Sequence, residues 1–183
     1  MKNEDRGIFL AVALVLLSCG PIQRASTAPK VFTSPDGSFS VTSPFDFSET
    51  TKILNRATGP VKQVVFFGGD DVTLYTVFYH DYPDSQIRPS AQTALDENRT
   101  AIVDALYAMH GRIVSEKSIT LGDYPGRDLI LDAIAPSGPT VAIYLRSMLV
   151  GNRVYGIEVV VQKGKYDAHA IADFLESFKI IKN

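Results

Sequence analysis

The chain of 183 residues has no tryptophan, a single cysteine and three histidines. One cysteine excludes an intrachain disulfide framework and a zinc site built from several thiolates. Lysine and arginine number 18 against 20 aspartates and glutamates, and the formal net charge of -2 offers no bulk attraction to nucleic acid. With 45% hydrophobic and 21% charged residues, the composition is that of a globular domain.

The longest apolar run lies close to the start of the chain. Residues 8–17 are apolar throughout, and as a helix they would span only about 15 Å. A bilayer core is about 30 Å thick, so this length suits the apolar region of a signal peptide better than a transmembrane helix. Lys2 and Arg6 supply the positive charge that precedes such a region, although Glu4 and Asp5 offset it.

The cysteine stands directly after this run. The segment Leu16-Leu17-Ser18-Cys19-Gly20 resembles the lipobox of bacterial lipoproteins. The resemblance implies cleavage before Cys19 and acyl chains such as palmitate on it, and two or three chains hold a protein on a membrane durably. The alternatives are a secretory signal cleaved near residues 26–28, or a free buried cysteine. We therefore expect a bacterial cell-envelope protein, on the outer membrane where the cell has two membranes.

The composition divides the chain into three segments. Residues 1–18 are predicted to be the lipoprotein signal peptide, and residues 19–30 a flexible tether that starts at the lipidated Cys19. Residues 31–183 then form one domain. A domain of this size buries about 70% of the surface of its unfolded chain, which is enough for an independent core.

Before the first helix, the sequence predicts strands separated by turns. The segment Ser34-Pro35-Asp36-Gly37 is typical of a turn, and residues 43–59 are predicted to be a connection without strands. Alternating or β-branched residues indicate strands over residues 38–42, 61–67 and 72–80.

An amphipathic helix and a run of strands follow. Ser90 is predicted to cap a helix whose apolar stripe ends near residue 109, with Gly111 ending it in the left-handed conformation. Gly151-Asn152 predicts a two-residue hairpin of type II′ or I′, and Asp167 a cap for a last helix. The further predicted strands are residues 112–121, 127–134, 141–150 and 154–162. Strands joined by hairpins imply a largely antiparallel sheet, here of about six or seven strands. Two amphipathic helices packed on this sheet make an α+β domain.

Five pieces of this pattern resemble the PsbP/Mog1-like superfamily. They are residues 36–41 with Pro44, 79–83, 122–127, 149–155 and 174–179. The resemblance implies an antiparallel sheet with helices packed on it. Members serve as assembly factors or protein-binding modules, and many are bacterial envelope proteins of unknown function, but a fold alone transfers none of these roles.

The sequence offers little material for catalysis. The histidines His80, His110 and His169 are not accompanied by a nucleophile elbow. Asp70-Asp71 and His80-Asp81 are permissible metal ligands that a hairpin would bring together, but a solvated turn beside a strand-end histidine explains them as well. We expect no catalytic residues, no metal, no cofactor and no nucleic-acid partner.

A group of tyrosines is the candidate binding surface. Tyr75 and Tyr79 alternate along one strand and share a face, with His80 and Tyr82 beside them. Tyrosine suits recognition surfaces because it joins apolar area to a polar tip. The alternative is that these residues fill an interface between sheet and helix.

Three arginines lie on neighbouring predicted strands. Arg127, Arg146 and Arg153 would form either a cationic patch or cross-strand pairs with acidic residues such as Glu158.

Three functions remain open from the sequence. The first is a lipid-anchored, non-catalytic envelope module that binds another envelope protein or assists assembly. The second is a lipoprotein that binds a small ligand in an apolar pocket between helix and sheet. The third is a metal-assisted or nucleophilic hydrolase, which requires His80 within about 3 Å of a carboxylate or hydroxyl partner.

Overall fold

The computed structural model describes residues 28–56, 59–82, 90–135 and 138–181. The predicted signal peptide, Cys19 and most of the predicted tether lie outside these residues.

Ten strands and two helices occupy the described residues. The first five strands are β1 (Lys30–Thr33), β2 (Phe39–Ser43), β3 (Ser48–Arg56), β4 (Gly59–Gly69) and β5 (Thr73–Asp81). They are followed by α1 (Ala91–Ala108), β6 (Arg112–Leu121), β7 (Tyr124–Ile134), β8 (Thr140–Val150), β9 (Arg153–Gln162), α2 (Ala168–Ser177) and β10 (Lys179–Ile180). Neither helix of the described ranges is long and apolar enough to cross a membrane.

The strands form two antiparallel sheets. The large sheet has seven strands in the order β3-β4-β5-β9-β8-β7-β6, and the small sheet has the order β1-β2-β10. The α+β class, the antiparallel pairing and the two helices are therefore confirmed. The predicted connection over residues 43–59 is wrong, because β3 lies there and pairs with β4 along its length.

The tight hairpin predicted between β8 and β9 is confirmed. Val150 and Arg153 are paired on either side of Gly151-Asn152. Gly151 has a φ of 61°, whereas Asn152 is not among the described residues with positive φ. A positive φ at the first central residue alone defines a type II′ turn, whose twist matches that of the strands.

The ends of α1 confirm one prediction and correct another. The Ser90 hydroxyl accepts a hydrogen bond from the Thr93 amide at 3.1 Å, as an N-cap should. The left-handed residue after the helix is His110, with a φ of 51°, and not Gly111. The Gly111 amide donates to the Leu106 carbonyl at 2.8 Å, which closes the turn as in a Schellman motif.

The two faces of the large sheet bury different partners. The first, called here the small-sheet face, packs against the small sheet and α2 and is rich in aromatic rings. Tyr75 meets Phe174 of α2 with ring centroids 4.9 Å apart, and Phe39 of β2 stacks on Phe178 at 5.4 Å. The α2 cap is confirmed, since the Asp167 carboxylate accepts from the His169 amide at 2.8 Å.

The opposite face, called here the α1 face, contacts α1. Leu106 and Met109 of the helix belong to the same buried cluster as Leu129 and Leu131 of β7. Nearer its start, the helix places Ala94 in a cluster with residues 149 and 154. The contacts of α1 with strands lie mainly on β6, β7 and β8.

Candidate functional site

The α1 face carries most of the buried polar side chains of the described residues. They are Gln63, Thr76, His80, Asn98, Arg127, Ser147 and Glu158. Directly opposite residues of antiparallel strands share a face, so the register shows which of them are neighbours. Gln63 of β4 lies opposite His80 of β5, and Thr76 of β5 lies opposite Glu158 of β9.

The pair Thr76 and Glu158 lies in the middle of the large sheet. Thr76 is 0% exposed and Glu158 is 8% exposed. The Thr76 hydroxyl and Glu158 Oε1 have no hydrogen-bond partner within the described parts of the chain. Opposite Cβ atoms in such a pair are about 5 Å apart, so the two unpaired polar groups lie close together in the interior.

The Glu158 carboxyl is electrostatically perturbed. Burial raises its pKa to about 7, and the positive charge of Lys52 lowers it in part. Lys52 is a half-buried residue of β3 that lies opposite Gln63. Burial lowers the pKa of Lys52 while the charge of Glu158 raises it, so the two groups act on each other across the intervening strands.

Two further buried polar groups on the α1 face also lack hydrogen-bond partners among the described residues. Asn98 is 5% exposed and stands one helical turn after Ala94, the α1 residue that packs near the start of β9. Asn98 Nδ2 and Gln63 Oε1 are buried and lack a hydrogen-bond partner among the residues that the structure describes. We call Gln63, Thr76, Asn98 and Glu158 the polar site.

The four residues predicted as a binding surface do not form one. Tyr75 and Tyr82 are 5% exposed and His80 is 0% exposed, so only Tyr79 is partly accessible. Strand alternation places Tyr75 and Tyr79 on the small-sheet face and His80 on the α1 face. The sheet–helix alternative is confirmed for Tyr75, which packs against Phe174. Tyr82 instead donates a hydrogen bond from its hydroxyl to Glu97 at 3.0 Å.

Arg153 joins the small sheet's first turn to the large sheet. Its Nε and Nη2 donate to the two oxygens of Asp81 at 2.6 and 2.8 Å, and its Nη1 donates to Asp36 at 2.6 Å. The guanidinium lies 4.0 Å from the centre of the Tyr79 ring. Burial raises the pKa of Asp36, but hydrogen bonds from Ser38 and Arg153 outweigh this and hold it well below its usual range.

The other two arginines are also paired with carboxylates. Arg146 contacts Asp128 of β7 at 2.9 Å, and Arg127 contacts Glu116 of β6 at 3.2 Å as well as Asp96 of α1 at 2.6 Å. The cationic-patch interpretation is therefore wrong and the pairing interpretation is confirmed, although Glu158 is a partner of none of the three.

The candidate metal ligands are engaged elsewhere. The Asp70 carboxylate accepts from the amides of Val72 and Thr73 at 3.0 and 2.8 Å, within its own turn. Asp81 belongs to the Arg153 cluster. The described ranges contain no group of three or more histidine, cysteine, aspartate or glutamate residues that could hold a metal ion.

Sequence reasoning missed the polar site, although alternation held a signal for it. Thr76, Phe78 and His80 occupy every second position of β5 and alternate with residues 75, 77 and 79, which places them together on the other face. Glu158 interrupts the apolar strand β9, in which residues 154–161 are all buried. Because consecutive residues of this strand are buried on both faces, alternation does not turn the Glu158 carboxylate toward solvent.

Comparison with known proteins supports the fold. No protein-family model matches the chain, and no curated protein does. The structure is similar to cyanobacterial PsbP from Synechocystis, with a TM-score of 0.57 at 12% identity, covering 90% of this chain and 98% of that one. A Bacteroides thetaiotaomicron protein matches with a TM-score of 0.51 at 17% identity over 84% of this chain, which spans 49% of that protein. A Pseudomonas aeruginosa protein of unknown function gives a TM-score of 0.43 at 11% identity, covering 79% of this chain and 90% of that one.

The match to cyanobacterial PsbP identifies the class of structure. The chain has a PsbP-like α+β fold, as the resemblance in the sequence implied. At such identities the likeness concerns the fold alone.

Proposed function

We propose that the protein is a lipid-anchored, non-catalytic module of a bacterial envelope that binds a small polar ligand at the polar site. The observation that carries the binding role is the set of four buried groups with unfilled hydrogen-bonding capacity. Leaving one such group unsatisfied costs about 1–3 kcal/mol. A molecule that hydrogen-bonds to several of them therefore stabilises the fold.

Binding accounts for the residues better than catalysis does. Asp36, Asp81 and Arg153 are held in a hydrogen-bonded cluster that ties strands together. Under this proposal Cys19 is consumed by the anchor and is not a nucleophile.

We also favour binding of a small ligand over docking of another envelope protein. The residues expected to form a docking surface, Tyr75, His80 and Tyr82, are buried. The sequence predicts an apolar pocket between helix and sheet, whereas the groups proposed to bind the ligand are polar side chains.

The anchor is supported by the sequence before the described domain. Cys19 follows the apolar run, and ten residues separate it from Lys30, where β1 begins. Ten extended residues reach about 35 Å, which is enough to hold the domain clear of a membrane surface.

Labelling in living cells tests the anchor. Cells expressing the full chain are grown with an alkyne analogue of palmitate, and the membrane fraction is examined for labelled protein. Cys19→Ala should lose the label and leave the membrane, whereas Ser18→Ala, which keeps a small residue before the cysteine, should retain both. Label that persists after Cys19→Ala would refute the anchor.

Thermal unfolding tests the binding role. The dialysable small-molecule fraction of the envelope should raise the Tm of the purified full chain, because a ligand that binds only the folded state stabilises it. Thr76→Val should abolish the rise, whereas Tyr144→Phe, on the small-sheet face, should preserve it. A Tm that does not respond in the wild type would contradict the proposal.

A further inference from the structure

The two edge strands of the large sheet differ in regularity. β3 and β6 stand at the two ends of its strand order, and no further strand of the described ranges pairs with their outer sides. An edge strand exposes backbone N–H and C=O groups that can pair with another strand. A register shift between Ile113 and Ser115 interrupts β6, and such irregularities hinder further pairing. β3 pairs with β4 over nine residues without a shift, so its outer edge is regular.

The second half of β3 carries an exposed isoleucine. Ile53 is 58% exposed. It alternates with Thr51, whose opposite residue Val64 is buried in the cluster of the small-sheet face, so Ile53 lies on that face. The small sheet approaches the other end of the strand, where Phe32 of β1 meets Phe47 with ring centroids 5.0 Å apart. An exposed apolar side chain on a regular edge is typical of a site of strand pairing.

The sequence of β3 permits pairing with a second copy of itself. When two identical strands pair antiparallel about a twofold axis, the residue on the axis lies opposite itself. An axis at Glu49 or Lys52 would therefore place like charges opposite each other, which is destabilising. Of the remaining axes, those at Thr51 and Ile53 pair the most residues, which are 48–54 and 50–56 respectively. The axis at Ile53 places the two exposed isoleucines against each other and removes both from solvent.

The same symmetry suits two chains attached to one surface. Directly opposite residues share a face, so the twofold axis is perpendicular to the sheet and the small-sheet faces of both copies point the same way. β1 begins at Lys30 and belongs to the small sheet on that face. Under the proposed anchoring, both tethers therefore reach one membrane, and this shared attachment raises the effective concentration of one edge near the other.

From these observations we propose that β3 is the interface of a twofold-symmetric dimer. The β3 strands of two copies pair antiparallel about Ile53 and join the two large sheets into one continuous sheet. The small-ligand function assigns no role to this edge, and the dimer does not depend on the polar site.

Chemical crosslinking in intact cells tests the pairing. Cells that express full-length Ile53→Cys are treated with a membrane-permeant bismaleimide of short spacer, and the products are separated by denaturing gel electrophoresis. Cys19 is present in every variant, so the wild-type chain gives the background. Thr51→Cys reports the register, and Val114→Cys is the matched control, because Val114 is a 50% exposed apolar residue of the other edge strand.

Ile53→Cys should give a product of twice the chain mass, roughly tenfold above background, because the axis places the two Cβ atoms about 5 Å apart. Thr51→Cys should stay at background, since an offset of four residues puts its two copies about 14 Å apart. Val114→Cys should stay at background as well.

Sedimentation equilibrium of the detergent-solubilised full chain gives a second measurement. The wild type should self-associate, and Ile53→Asp should raise the Kd of the dimer at least roughly tenfold, because two carboxylates would then lie opposite each other. Val114→Asp should leave the Kd unchanged. Both positions are exposed in the single chain, so both variants should fold.

The outcomes separate the possible occupants of the edge. Crosslinking of Ile53→Cys at background, or a Kd that Ile53→Asp does not change, would exclude β3 as a self-interface. A stronger dimer product from Thr51→Cys than from Ile53→Cys would refute the register about Ile53. A product whose mass is not twice that of the chain would assign the edge to a strand of another protein and overturn the proposal.

Discussion

The tip of the Phe78 ring occupies the space above Gly156, its directly opposite neighbour on β9. A Cβ at position 156 would overlap three atoms of that ring. The glycine therefore allows an aromatic side chain to cross from β5 onto β9 in the middle of the large sheet, beside Thr76 and Glu158.

Gly156→Ala should lower the free energy of unfolding by about 1–3 kcal/mol, the usual cost of overpacking a core. Denaturant unfolding monitored by circular dichroism measures the change. Adding Phe78→Leu to Gly156→Ala removes the overlapping ring atoms and should recover part of the loss. An alanine variant as stable as the wild type would show that the ring moves aside without cost.

Arg153→Lys should destabilise the fold by about 1–2 kcal/mol. A lysine cannot donate to both oxygens of Asp81 and to Asp36 in one geometry, and it stacks less well on Tyr79. Thermal unfolding of the variant is compared with that of Arg112→Lys, since the Arg112 side chain is 73% exposed in its pair with Asp132 and should contribute little. Equal effects of the two substitutions would contradict a special role for the Arg153 cluster.

Substitutions at the neighbouring residues His110 and Gly111, after α1, should change the stability of the fold in opposite directions. His110→Gly should stabilise the fold by about 0.5–1 kcal/mol, because glycine adopts the left-handed conformation without steric cost. Gly111→Ala should destabilise it, because a Cβ would lie 2.7 Å from Leu106 Cδ2 and 2.8 Å from the Asp132 carbonyl oxygen. Chemical denaturation of both variants measures the two changes in stability. A gain in stability from Gly111→Ala would refute the assignment of His110, and not Gly111, as the left-handed residue after α1.

The stability of the wild type should fall as the pH rises between about 4.5 and 7. Burial raises the pKa of Glu158 to about 7 from its ordinary 4.5, so in this interval the folded chain keeps a proton that the unfolded chain releases. The contribution is fully present below pH 4.5 and lost above pH 7, and the full shift corresponds to about 3 kcal/mol.

Glu158→Gln removes this ionisation and should flatten the dependence. Urea unfolding at pH 4.5, 6 and 7.5 measures it, with Asp123→Asn in the exposed β6–β7 turn as the control. The difference in stability between Glu158→Gln and the wild type should grow with pH. Parallel profiles for the two proteins would show that the Glu158 carboxyl is not perturbed.

Local patterns predicted the helices and hairpins because their causes are local. Ser90, Asp167 and Gly151 determine caps and a turn through their own side chains or backbone freedom. The strand β3 was missed because it is an edge strand in which the buried positions are few. The short strands β1 and β10 exist only by pairing with β2, and residues distant in sequence determine that pairing.

The polar site was harder to predict because it depends on register. Thr76 and Glu158 are 82 positions apart in the sequence and become neighbours only when β5 pairs with β9. Asn98 lies on α1, which packs against the same face of the sheet. The alternation of Tyr75 and Tyr79 along β5 is visible in the sequence. Whether these side chains face the core or solvent depends on which face of the large sheet the small sheet covers.

The strands β1 and β10 both flank β2, and the Ile181 amide donates to the Ser38 carbonyl at 3.0 Å. Both ends of the described domain therefore emerge on one side of the large sheet. Under the proposed anchoring, a tether that enters at Lys30 attaches to that side and leaves the α1 face turned away from the attachment point. In that orientation, a solute of the surrounding compartment approaches the α1 face from the side opposite the proposed anchor.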